Sequence, residues 1–297
     1  MVYRHIPPVT IAILDTGVAP VQDLTAPHNR IVAAVDFVNR RSSPYDDNAH
    51  GTHVSAVAAG NGFASGGRYA GANPNAAIAS VKVLDAEGRG NSGDALAGIQ
   101  WIIDNARQYN IRVANLSIGT VDVGSSDPLV KAVEAAWDAG IVMVVAAGNN
   151  GPKQSSITSP GTSRKVITVG AFDDEDCEDA SGKPMRHFSG RGPTSECIVK
   201  PDVLAAGCNV VSALSNSPEL SAERLRGLRR VGEHYVKMSG TSMASPAVAG
   251  AISLLLEKQP RLTPNEVKLL IKQTAKNLRL PPNRQGWGVL DLMRWGL

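Results

Sequence analysis

Apolar and polar positions alternate along the chain in short blocks. Residues 9–14 are an apolar, β-branched run that stops at Asp15-Thr16-Gly17, which predicts a buried strand entering a loop. Residues 31–37 predict a second strand, and the polar stretch 39–49, with Pro44 inside it, predicts a loop. His50-Gly51-Thr52-His53 then opens a small-residue helix that stops at Gly60, and the glycine-rich stretch 61–71 predicts a surface loop. A regular alternation follows: strand 77–83, helix 92–109, strand 113–117, helix 128–139, and strands 141–146 and 165–170. Helix 92–109 is expected to set Leu96, Ile99, Ile103 and Ala106 on one buried face. Near-continuous apolar strands separated by helices predict a mainly parallel sheet with helices on both faces, an α/β fold.

The second half is less regular. Residues 173–201 are polar and predict irregular chain, 210–213 a short strand, and 218–230 an exposed amphipathic helix. Residues 235–238 predict a strand that leads, through Gly240-Thr241-Ser242-Met243-Ala244-Ser245-Pro246, into a buried helix over 247–256. Thr263-Pro264-Asn265-Glu266 has the capping-box pattern, with Val267, Leu270, Ile271 and Thr274 at helical spacing after it. With no repeat, low-complexity tract or linker, residues 1–297 read as one domain.

Composition narrows the function classes only slightly. A formal charge of +3 is too small to point to nucleic acid or a membrane surface, and no run of 18 apolar residues predicts a membrane span. Cys177, Cys197 and Cys208 cannot all pair internally and show no metal-type spacing. Each is expected to be a buried or free thiol, which favours a reducing compartment. The start of the chain has no basic–apolar–small leader. The expected location is therefore the cytoplasm; the alternative is a secreted enzyme whose leader and propeptide lie outside this chain.

Three separated pieces carry candidate chemistry. Asp15 closes a buried strand, where open α/β sheets place their sites. His50 heads one helix, and Ser242 sits at a strand-to-helix joint near the start of another. Thr241 and Ser242 fit a plain helix cap; Ser242 also fits a nucleophile at a helix N-terminus, where free N–H groups stabilise developing negative charge. Acyl transfer needs a hydroxyl nucleophile, a base for its proton and an acid to orient that base.

Asp15-Thr16-Gly17, His50-Gly51-Thr52-His53 and Gly240-Thr241-Ser242-Met243-Ala244-Ser245-Pro246 resemble the three signature motifs of the subtilisin-like serine proteases, the subtilases. The Asp, His, Ser order of that family is known from subtilisin itself. Further pieces match at Val81-Lys82-Val83-Leu84, Asn115-Leu116-Ser117-Ile118-Gly119, Ala146-Ala147-Gly148-Asn149 and Lys200-Pro201-Asp202-Val203. Within the family the chain resembles the intracellular AprX-like branch, through residues 44–48, the Gly60-Asn61-Gly62 loop and the segment ahead of 235–238. It departs from the common pattern at Ala49, where glycine or serine is usual, and at Ala206, where proline is usual.

The resemblance implies a three-layer subtilisin-like sandwich and a serine endopeptidase acting on protein or peptide substrates. It makes Asp15 the orienting acid, His50 the base, Ser242 the nucleophile and Asn149 the side-chain donor to the oxyanion. His53 is expected to pack inside the helix, and His5, His28, His187 and His234 to be surface or structural residues. Gly88, Arg89 and Gly90 on one side, and Ser117, Ile118 and Gly119 on the other, would enclose an extended peptide. Ser117, Ile118, Gly119, Ala147, Gly148 and Thr158 would line a pocket without acidic groups, which implies uncharged apolar or aromatic residues before the cut. Arg89 is expected to be solvated. Catalysis needs no cofactor, and a propeptide stays open as a partner.

Some subtilases hold structural calcium near the loop after the histidine helix. Asp23 matches one ligand, but the 61–70 loop lacks the remaining pattern, so calcium is left unplaced. An α/β-hydrolase esterase would need G-x-S-x-G and the order Ser, Asp, His, which this chain lacks. The remaining alternative is a catalytically silent peptide-binding module on the same fold.

Overall fold

A computed structural model describes residues 8–120 and 126–296, which leaves His5 outside the described residues. Its strands are β1 (Thr10–Asp15), β2 (Ile31–Asp36), β3 (Ala77–Lys82), β4 (Ile111–Leu116), β5 (Val142–Ala146), β6 (Ile167–Ala171), β7 (Cys177–Glu178), β8 (Pro184–Met185), β9 (Val203–Ala205), β10 (Val210–Ala213), β11 (Arg230–Val231) and β12 (Tyr235–Met238). The helices are α1 (Gln22–Thr25), α2 (His50–Ala59), α3 (Ser92–Tyr109), α4 (Pro128–Asp138), α5 (Ala222–Arg226), α6 (Thr241–Lys258), α7 (Pro264–Thr274) and α8 (Pro282–Gln285).

Seven strands pair in the order β2-β3-β1-β4-β5-β6-β9, every neighbour parallel. β1, β3 and β5 are buried at every residue, which requires cover on both faces. α6 lies against β4, β5 and β6 and packs on α2, while α3 and α4 pack together over β1, β3, β4 and β5. The chain lays β2 and β3 to one side of β1 and β4, β5 and β6 to the other. The C-terminal ends of β1 and β4 therefore border the crevice where sheets of this kind bind ligands.

Small residues set the spacing of α2 and α6. A Cβ on Gly250 would sit 2.3 Å from the Ala58 carbonyl oxygen, so the two helices approach backbone to backbone. These two helices carry His50 and Ser242 at their N-termini. A separate antiparallel sheet, β10-β12-β11, delivers the chain from β12 into Gly240.

Several sequence expectations need correction. The deepest face of α3 is Ala95, Gly98, Ile99 and Ile102, with Leu96, Ile103 and Ala106 only half-buried. Gly98 turns the helix this way: its missing side chain lets Val83 and Val81 come within contact of the backbone, a Cβ there lying 2.8 Å from Val83 Cγ1. The helix expected over 218–230 is only Ala222–Arg226, because Arg230 and Val231 are drawn into pairing with β12. The stretch 173–201 contains the small β7–β8 hairpin. β9 was not anticipated; three residues directly after Pro201-Asp202 are too short a run to stand out. The helix after Gly240 begins at Thr241, so Pro246 lies inside it.

Cys177 and Cys208 form a disulfide, against the expectation of separate thiols, and Cys197 is free and exposed. The Asp173 carboxylate accepts the N–H groups of Gly207 at 2.8 Å and Cys208 at 3.2 Å, which draws that segment onto the β7 turn. Nothing in the cysteine spacing signals this contact. The capping box on α7 forms as expected, with Thr263 N–H donating to Glu266 Oε2 at 2.7 Å and Glu266 N–H to Thr263 Oγ1 at 3.3 Å.

Thiol titration of the denatured, unreduced protein should find one reactive thiol, Cys197, and three after reduction. For a bridge closing 31 residues, reduction should cost roughly 3–4 kcal/mol of stability in a denaturant titration. Three thiols without reduction would contradict the pairing.

Candidate active site

Asp15 ends β1 with no solvent exposure. Its Oδ1 accepts the Thr16 N–H at 2.8 Å and the Nδ1–H of His50 at 2.7 Å, while Oδ2 has no partner among the described residues. A buried carboxylate is costly without compensation, so the His50 bond is a large part of what permits it. His50 is the first residue of α2, and its side chain is 25% exposed. Burial pushes its pKa down, the charge and hydrogen bond of Asp15 with the charge of Asp46 push it up, and Arg224 pushes it down; the net direction is up. With Nδ1–H held by Asp15, Nε2 is left as the acceptor, the tautomer a general base requires.

The start of α2 is held from four residues upstream. Asp46 is fully buried; its Oδ1 accepts Thr16 Oγ1–H at 2.8 Å and the N–H groups of Asn48 and Ala49 at 3.0 Å. Its Oδ2 accepts the N–H and O–H of Thr52 at 2.8 and 2.6 Å. Asp46 thus satisfies helix donors that Ala49, the residue before His50, cannot. Ala49 has φ +82, a left-handed conformation that glycine adopts without strain, which explains why alanine is a departure there. Lys82, buried at the end of β3, donates to Asp47 Oδ1 at 2.7 Å and to the carbonyl oxygens of Thr16 and Leu84 at 2.6 and 2.8 Å. Asp46 and Lys82 appear in the sequence only as members of matched stretches; neither was read as holding the site.

Ser242 is the second residue of α6 and half-buried. Gly240 before it has φ +148 and ψ 163, a region open essentially to glycine alone. As a first-turn residue, Ser242 has an N–H without an intrahelical acceptor. Pro246 has no N–H to donate to the Ser242 carbonyl oxygen one turn back, and Ser117 Oγ–H serves that oxygen at 3.3 Å. The Ser242 hydroxyl is aimed at the Ser117 carbonyl oxygen, 3.5 Å away.

Asn149 lies just beyond β5 and is exposed. Its Oδ1 accepts the Thr241 N–H at 2.9 Å and the Thr241 Oγ1–H at 3.0 Å, which leaves the Nδ2 hydrogens available to another acceptor. Thr158 N–H donates to Ala147 O at 3.1 Å. A Cβ on Gly119 would lie 2.4 Å from Thr158 Oγ1 and one on Gly148 2.6 Å from it, so these three residues meet as closely packed walls. Ile118 is half-buried beside them. On the other side, Gly88, Arg89 and Gly90 form an exposed turn in which Asp85 Oδ1 accepts the Arg89 N–H at 2.8 Å and Asp85 N–H donates to Arg89 O at 2.8 Å.

The structure thus joins Asp15 to His50, Asn149 to the residue before Ser242, and Ser117 to Ser242. His53 is fully buried with Nε2 hydrogen-bonded to Val210 O at 3.0 Å, and burial, aided by the His50 charge, pushes its pKa down to about 3. It is a core histidine, as expected.

Asp23 does not fit a calcium ligand. Its Oδ1 accepts the Ala64 N–H at 2.9 Å, and both its oxygens accept Tyr235 O–H, at 3.2 and 3.0 Å. Its carbonyl oxygen accepts from the Arg30 guanidinium, which also donates to Ala76 O at 3.0 Å. A cation is thus already built into this corner, and among the described residues no cluster of three or more His, Cys, Asp or Glu could hold a metal ion. No helix among them is long and apolar enough to cross a membrane.

A profile of the subtilase family matches residues 8–288. The chain is 44% identical over 295 residues to serine protease AprX of Bacillus subtilis, covering 95% of this chain and 65% of that protein. It is 34% identical to subtilisin DY of Bacillus licheniformis, covering 91% of this chain and 84% of the relative. Among solved structures, S41 psychrophilic protease superposes with a TM-score of 0.74 at 28% identity, covering 96% of this chain and 91% of that one.

In an NMR titration of the imidazole signals, His50 should titrate above the ordinary histidine range. In Asp15→Asn it should titrate lower, because the charge and acceptor that favour the imidazolium are gone. An unchanged titration in the variant would break the assignment.

Proposed function

The chain belongs to the subtilase family, and from that premise we propose that it is a serine endopeptidase cutting protein and peptide substrates through an acyl-enzyme. The observation that carries this is the 2.7 Å bond from His50 Nδ1 to the buried Asp15, with His50 on a helix that packs against the one whose first turn bears Ser242. In this reading Ser242 Oγ attacks the scissile carbonyl carbon as His50 Nε2 takes its proton. Asp15 holds the tautomer and stabilises the imidazolium. The oxyanion receives hydrogen bonds from Ser242 N–H and Asn149 Nδ2. His50 then gives the proton to the leaving amine, and water, activated by the same imidazole, releases the acyl group. Because the base must be neutral and its pKa is raised, kcat/KM rises with pH through a value above the ordinary histidine range.

The specificity reading rests on the walls of the cleft. Ser117, Ile118, Gly119, Ala147, Gly148 and Thr158 bring no charge, which supports apolar or aromatic residues before the cut. Gly88, Arg89 and Gly90 would supply the facing backbone for an extended peptide. Turnover is proposed to need no cofactor and no bound calcium. The Cys177–Cys208 bond removes the cysteine argument for a reducing compartment and supports the secreted alternative.

Digestion of denatured casein, with fragments read by mass spectrometry and with and without EDTA, tests this reading. Fragments should end mainly on apolar and aromatic residues, at the same rate in EDTA, and none should form with Ser242→Ala. Asn149→Ala should turn over ~10²–10³-fold more slowly, a magnitude carried over from subtilisins. Fragments ending mainly on Lys or Arg would refute the pocket, loss of rate in EDTA the calcium-free account, and cleavage by Ser242→Ala the nucleophile.

A further inference from the structure

The segment between β10 and β12 reaches the site through Ser215 and Ser217, which bond the Asp46 backbone at 2.8 and 3.3 Å, and through Arg224. Arg224 on α5 donates from Nε to the Asn48 carbonyl oxygen at 3.1 Å and from Nη2 to Asn48 Oδ1 at 2.9 Å, across a sequence separation of 176. Asn48 is 1% exposed and joins three parts of the site. Its N–H donates to Asp46 Oδ1 at 3.0 Å, its Oδ1 accepts the His50 N–H at 3.3 Å, and its Nδ2–H donates to Ala86 O at 2.7 Å, in the turn that leads to Gly88-Arg89-Gly90. The outer side of Arg224 borders an open cleft of about 790 Å³, shared with Asp47, Glu87, Arg89 and Glu223.

We propose that Arg224 is a positioning residue for His50: through its two-pronged hold on Asn48 it fixes both the start of the histidine helix and the Asp85–Gly90 wall of the substrate cleft. This rests on the reading of His50 as the base. A guanidinium is suited to the task because its planar fork meets two oxygens of one residue at once, which an ammonium cannot do. The wide-open cleft on its other side shows that Arg224 is not a core residue whose loss must unfold the chain.

The arginine also acts electrostatically. The charged and titratable groups facing His50 are Asp15 from β1, Asp46 from the loop before α2, His53 on α2 itself and Arg224 from α5. β10 and the first turns of α6 carry no titratable side chain, while Asp23 of α1 and Lys82 of β3 are engaged in their own buried contacts. Arg224 is thus the positive group set against two carboxylates, and it favours the neutral imidazole at a given pH.

The test is the pH dependence of kcat/KM on an uncharged chromogenic peptide for the wild type, Arg224→Gln and Arg224→Lys, with Ser242→Ala as the blank. For Arg224→Gln, kcat/KM should fall roughly 10–100-fold and its acidic limb should move to higher pH, because the imidazolium is no longer opposed. Arg224→Lys should lose activity for want of the fork, yet keep the limb where the wild type has it, because the charge remains. If Arg224→Gln does not fold, Arg224→Lys decides alone: reduced kcat/KM with an unmoved limb supports the proposal, and unchanged kcat/KM overturns it. Wild-type kcat/KM and limb in Arg224→Gln also overturn it. Absence of any Ser242-dependent hydrolysis in the wild type would overturn the protease reading, and the role of Arg224 with it.

Discussion

A carboxylate with no solvent exposure governs the arrangement of this protein. Asp15 is placed at the end of a fully buried strand, where an ionised group survives only if the surrounding chain supplies donors. Thr16 N–H and His50 Nδ1–H supply them. That need fixes where α2 must begin, and a second buried carboxylate, Asp46, holds the beginning there by accepting donors from Thr16, Asn48, Ala49 and Thr52. Two buried charges in one corner are unfavourable as packing. They are tolerated because each is saturated by neighbouring donors or aligned on an imidazole, and the result is a histidine with a defined tautomer and a raised pKa.

The other half of the site follows from the small residues of α6. Gly250 against Ala58 lets α6 pack closely on α2, the helices whose first residues include Ser242 and His50. Gly240 supplies a backbone conformation other residues resist, and Pro246 releases a carbonyl that Ser117 then occupies. Thr241 uses both its donors on Asn149 Oδ1, leaving the amide hydrogens of Asn149 available. Each of these features is a helix-terminus device, and together they make a place where negative charge can develop beside a hydroxyl.

Much of this was legible in the sequence, for identifiable reasons. Strands β1, β3 and β5 are continuous apolar runs, and helices such as α7 announce themselves by their caps. Asp15, His50 and Ser242 stood out at the ends of such elements, and their roles, with that of Asn149, came from the motifs that resemble those of the subtilases. Features set by tertiary contact were not legible. The buried face of α3 is set by Gly98 against β3, and β9 is only three residues long. The Cys177–Cys208 bond depends on Asp173 gathering two distant segments, and the hold of Arg224 on Asn48 spans most of the chain. Asp46 and Lys82 looked like ordinary polar residues of a loop and a strand, since nothing local shows that they are buried.

The central claim is that Ser242 is a nucleophile made reactive by His50 and Asp15. Labelling the folded protein with a fluorophosphonate probe, followed by mass spectrometry of the adduct, tests it most directly. The account predicts a single covalent adduct on Ser242, with labelling greatly slowed in His50→Ala. An unlabelled Ser242 in the folded wild type, or labelling equally fast without His50, would contradict it.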